Sequence, residues 1–82
     1  MKFEDAFNEA NKVLTNWKEN GVALAGEAEE DWLFRGHIIN NDTILTGTLI
    51  LVSKEDGKMR ICNTLDPRDN RAIRTAKVIE LK

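Results

Sequence analysis

Phe3, Phe7, Ala10, Leu14 and Trp17 recur at spacings of four and three along the first segment, and Ala6 and Val13 fill the same stripe. That spacing predicts an amphipathic helix with one buried face. Its polar side carries Glu4, Asp5, Glu9, Lys12 and Lys18, with acids early and lysines late, as the helix dipole prefers. Gly21 follows Asn20 and can take the left-handed conformation that ends a helix. The helix is therefore expected over residues 3–19.

From Val22 onward the apolar positions shorten into runs of strand length. "VALAGE", "DWLFRGHII", "ILTGTLILVS" and "MRICNTL" predict strands at about 22–27, 31–39, 44–53 and 58–65. They are joined by "EED", "NNDT" and "KEDGK", the last a tight turn with Gly57 at the positive-φ position. The expected fold class is α+β, an N-terminal amphipathic helix packed on a four-stranded antiparallel β-meander, with residues 1–82 forming one domain. The C-terminal segment, 67–81, reads as a helix or a fifth strand. Asp66 can cap a helix that opens at Pro67 and presents Ala72, Ile73, Ala76 and Ile79 on one face. "AKVIELK" also suits a strand, and the helix is favoured.

The central hairpin has apolar residues on both faces. With Asn41 and Asp42 as a two-residue turn, Gly36 falls opposite Gly47, Phe34 opposite Leu49, Trp32 opposite Leu51 and Ile38 opposite Leu45. Met59, Ile61 and Leu65 join this expected core face. The glycine pair leaves a gap, over which the first helix is expected to cross with Phe7, Leu14 and Trp17 around it. The second face then holds Leu33, Arg35, His37, Ile39, Ile44, Thr46, Thr48, Ile50, Val52, Arg60, Cys62 and Thr64. It is too aliphatic for a solvated face and too polar for a core. It is covered by the C-terminal segment, by a second copy of the chain, or by a partner protein; cover by the C-terminal segment is favoured.

Composition narrows the function classes. A chain of 82 residues, 41% hydrophobic and 32% charged, is an ordinary globular domain with little room for a deep active-site cavity. No apolar run reaches a bilayer span, and the opening "MKFEDAFNEA" lacks the apolar core of a signal peptide. One cysteine, Cys62, cannot close an internal disulfide, so a cytoplasmic location is expected. A net charge of −2 opposes general nucleic-acid binding, which needs a basic field.

Charge is nevertheless clustered. "EAEED" at 27–31 holds four carboxylates in five positions, whereas "PRDNRAIR" holds three arginines against one aspartate. A solvated loop and a solvated helix face account for both. Steering toward a basic protein is the functional alternative for the acidic run.

Catalytic patterns are weak throughout. His37 and Cys62 lack metal-ligand spacing and any orienting third group, so neither a metal site nor a Cys–His nucleophile is expected. The glycines are isolated, which excludes a phosphate loop. The acids of 27–31 are too close together for a hydrolytic carboxylate pair. Arg35, His37 and Arg60 have no aromatic platform beside them for unstacked bases. The chain is expected to be no enzyme and to use no cofactor.

"FEDAFNEANKVL", "DWLFRGHI" and "LILVSKEDGKMRICNTLDP" together resemble the YrhB-type domain, a small bacterial α+β family that includes immunity proteins of polymorphic toxin systems. Asp5, Ala6, Phe7, Ala10, Asn11 and Leu14 match its opening helix, Trp32 and Phe34 its aromatic strand, and Lys54 to Gly57 its final hairpin turn. The resemblance implies a protein that binds and neutralises a cognate toxin, for which a basic toxin domain would suit an acidic inhibitor. Contact is expected either on Glu27, Glu29, Glu30 and Asp31, with Trp32 nearby, or on the mixed face at Arg35, His37, Thr46, Thr48 and Arg60. The alternative is a housekeeping interaction or homodimerisation domain that uses the same mixed face.

Overall fold

The computed structural model describes residues 1–81. Its architecture is α+β. The elements are α1 (Phe3–Asn16), β1 (Val22–Glu27), β2 (Asp31–Asn40), β3 (Thr43–Ser53), β4 (Met59–Ile61), α2 (Pro67–Thr75) and β5 (Lys77–Ile79). All neighbouring strands run antiparallel in the order β4-β3-β2-β1-β5. Both readings of the C-terminal segment are realised in succession. Asp66 accepts the Arg68 N–H at 2.8 Å and Pro67 opens α2, while Ala76 is already extended and leads into β5 on the far edge of β1.

α1 lies on one face of the sheet. Ala6, Ala10 and Leu14, each one turn beyond the last, are fully buried, and their small or branched side chains let the helix lie close over Phe34, Ile50 and Val52. Phe3 and Phe7 pack edgewise and obliquely on Trp32 and Phe34, with ring centroids 5.4–6.0 Å apart. Trp17, expected on this stripe, is 48% exposed. The helix ends before it can turn Trp17 inward.

That end comes at Asn16 rather than near residue 19, and the left-handed position is Lys18, with φ 63°. Glu19 N–H donates to Leu14 O and Lys18 N–H to Thr15 O, both at 3.0 Å, which is the paired bonding of a Schellman cap. Gly21 is also left-handed, but in the connection that follows. Lysine pays a steric cost in this conformation that glycine does not. Lys18→Gly should therefore raise stability by about 0.5–1 kcal/mol, read as a higher thermal midpoint; a lower midpoint would contradict the cap.

The hairpin register holds from the turn to His37↔Thr46 and then breaks. Asn40 faces Thr43 as expected, but a bulge between His37↔Thr46 and Arg35↔Leu49 sets the single residue Gly36 against both Gly47 and Thr48. A one-residue slip sends every later side chain to the opposite face. Trp32 thus faces Val52, and Phe34 faces Ile50. Ile50 and Val52, expected on the outer face, are core residues, whereas Leu49 and Leu51 lie on the outer face.

Glu19 caps the bulge. Its carboxylate sits over the glycine pair, where a Cβ on either glycine would run into it, and Leu14 Cδ2 would lie 3.0 Å from a Cβ on Gly36. One oxygen accepts the Thr48 N–H at 3.0 Å and the other the Thr48 hydroxyl at 2.6 Å. The gap is filled by an anionic side chain just beyond α1, not by the helix crossing with Phe7 and Trp17.

β4 is shorter than expected. Asn63 N–H donates to Asp69 Oδ2 and Leu65 N–H to Asn63 Oδ1, so the chain leaves the sheet there. Leu65, expected in the core, is 90% exposed.

Candidate functional site

α2 crosses the outer face and covers part of it. Ala72 packs with Ala28, Leu33 and Leu51, while Leu49, Cys62 and Ala76 border this second cluster. The cover stops short of β1 and β5. Leu24, Gly26, Leu33, Leu49, Ile73, Ala76 and Val78 line an open groove of about 170 Å³, with Arg35 alongside. Val78 is 70% exposed and Leu24 and Ile73 are also exposed. Among the described residues no carboxylate pairs with Arg35. Further toward the hairpin turn, His37 and Thr46 face each other across the strands, and His37 Nδ1 lies 3.0 Å from Gly21 O.

At the other end of α2 the charges are committed to one another. Asp31, 1% exposed, accepts from Arg60 Nη1 at 3.0 Å, from Arg60 Nη2 at 3.2 Å and from Arg68 Nη2 at 3.3 Å. Asp69, 2% exposed, accepts from Arg60 Nε at 2.8 Å and from the Asn63 N–H at 2.9 Å. Hydrogen bonding to Asp31 raises the Arg60 pKa against the opposing effect of burial. Burial disfavours the Asp69 charge, but the Asn63 N–H and the Arg60 guanidinium outweigh it and hold the carboxyl below the ordinary range. The network ties the start of β2, β4 and α2 together.

The nine residues expected to bind a partner are therefore dispersed over four places in the fold. Arg35, His37 and Thr46 stay together on the open outer face. Thr48 turns toward Glu19 and α1 because of the bulge, and Arg60 is held inside the ion network. Glu27, Glu29, Glu30 and Asp31 line a second cleft, of about 870 Å³, beside Lys54, Arg68, Arg71 and Lys77. Glu27 pairs with Lys54 at 2.6 Å and Glu30 with Arg68 at 3.7 Å. Four basic side chains thus answer four acids in that cleft, and the field available for steering is correspondingly small.

Leu24, Ile73 and Val78 complete the outer groove and were not among the expected site residues. The alternation in "VALAGE" carries the signal for Leu24, which must face away from the buried Ala25. Nothing comparable marks Val78, whose place depends on β5 pairing with β1.

Chemically the outer face offers an apolar surface beside a cationic side chain. Burial pushes the Cys62 thiol pKa up, and Asp69 adds to the shift against the pull of Arg35 and Arg60, so the thiol is not activated as a nucleophile. Among the described residues no three His, Cys, Asp or Glu side chains gather in a way that could hold a metal ion. No helix among them is long and apolar enough to cross a membrane. Comparisons with protein-family models, with curated proteins and with solved structures find no match for this chain.

Proposed function

We propose that the chain is a non-enzymatic protein-binding domain, and specifically an immunity protein that binds and neutralises a cognate bacterial toxin in the cytoplasm. The immunity role rests on the YrhB-type resemblance of its opening helix, aromatic strand and last hairpin turn. The contact is proposed at the outer groove, and the observation that carries it is an exposed apolar trough flanked by Arg35, which pairs with no carboxylate among the described residues. Apolar walls beside one arginine suit a partner that presents an apolar side chain next to a carboxylate. The overall charge of −2 adds a weak attraction for a basic toxin, screened beyond roughly 8 Å in physiological salt.

Capture from the native host with the tagged chain, followed by titration calorimetry against the captured protein, tests this reading. A one-to-one complex is expected. Leu24→Asp, Val78→Asp and Arg35→Ala should each weaken it by about tenfold or more, without loss of the fold. Absence of a complex, or equal binding by all three variants, would rule the assignment out.

A further inference from the structure

Between the hairpin turn and β4, no strand among the described residues pairs with the edge of β3. β4 pairs only with Ile50–Val52, and the last bond on that side runs from Cys62 N–H to Leu49 O at 2.9 Å. Across the hairpin, His37 directs both backbone groups toward β1. Its N–H donates to Gly21 O, its O accepts from Asn20 N–H, and Ile39 N–H donates to Asn20 Oδ1. When one member of an antiparallel pair points its backbone groups away, so does the residue opposite. Thr46 lies opposite His37 and Ile44 opposite Ile39. Both therefore turn N–H and C=O out of the open edge.

Outward groups two residues apart are what a strand needs to pair with its own copy. Around a two-fold axis through Leu45, Ile44 meets Thr46 of the second copy and Thr46 meets Ile44, which satisfies every outward group at these positions. Leu45 then faces itself on the α1 side of the sheet. β3 carries no charged residue from Thr43 to Ser53, so no like charges meet across the axis. It also lacks the lysines and prolines that usually guard an edge, and Ile44 and Leu45 are exposed on it.

We propose that two copies of the chain associate through antiparallel β3 edges centred on Leu45, which joins their two sheets into one. The pairing extends over Thr43–Gly47, because the Cys62–Leu49 bond marks where each copy's own β4 takes over. It uses an edge rather than the outer groove and needs no other partner. Its outcome is therefore independent of toxin binding.

Sedimentation velocity on the purified chain, from about 1 μM to about 1 mM, covers the range expected for so small an interface. A concentration-dependent monomer–dimer equilibrium is expected. Thr46→Pro removes an outward N–H at an edge position that tolerates proline, and Leu45→Lys sets like charges across the axis. Each should weaken dimerisation at least about tenfold, with the circular dichroism spectrum and thermal midpoint little changed. A monomer at the highest concentration would overturn the proposal, and so would a dimer that both variants leave intact.

Discussion

Asp31→Ala is expected to destabilise the fold by about 3 kcal/mol, while Glu30→Ala, at the adjacent position, should cost less than about 0.5 kcal/mol. The two carboxylates are neighbours in one acidic run, yet they do different work. Glu30 reaches Arg68 only at 3.7 Å between exposed side chains. Asp31 is buried and accepts from two arginines. Without it Arg60 would keep Asp69 but lose the bidentate half of its contacts. Arg60 is 31% exposed, so water can replace part of that loss, and the effect falls at the lower end of the range for a broken buried pair. For a domain of this size the midpoint should fall on the order of 15 °C. Similar midpoints for the two variants would show that the network does not hold α2 to the sheet.

The second large effect is expected at the glycine pair. A Cβ on Gly47 would meet the Glu19 carboxylate and, less avoidably, the backbone of Gly36, with C at 2.6 Å and O at 2.9 Å. A flexible side chain can move aside; a paired strand cannot. Gly47→Val should cost about 3 kcal/mol. Gly36→Ala should cost less, because its nearest neighbours are the Glu19 carboxylate and the tip of Leu14, although Glu19 must then give up its bonds to Thr48. Urea unfolding midpoints measure both variants. An unchanged midpoint for Gly47→Val would mean that the bulge and its carboxylate cap do not form.

These two sites also mark where the sequence stops being legible. The helix stripe at Ala6, Ala10 and Leu14, the Asn41–Asp42 turn, Gly57 at positive φ and the Asp66 cap all follow from local spacing and turn chemistry. The register was legible only as far as the bulge. The bulge is capped by a Glu19–Thr48 contact spanning 29 residues, and alternation alone gives no sign of it. One slipped residue then exchanged Ile50 and Val52 with Leu49 and Leu51 between the faces. The same limit hid the ion network, since Asp31, Arg60 and Asp69 meet only after α2 has crossed the sheet.

At the candidate site, the sequence located the mixed face and its Arg35, His37 and Thr46, but not its boundary. That boundary is set by how far α2 reaches and by β5 completing the far edge. The acidic run was the more conspicuous feature, and the fold surrounds it with Lys54, Arg68, Arg71 and Lys77. The proposed contact therefore lies on the part of the outer sheet that α2 leaves open and not on the acidic loop.

The most direct test of the proposed contact is a map of backbone amide chemical shifts for the isotope-labelled chain, titrated with the protein it captures from its native host. The largest changes are expected at Leu24, Arg35, Leu49, Ile73 and Val78, with α1 nearly unmoved. Changes confined to Glu27–Asp31, or spread along the exposed side of α1, would contradict it.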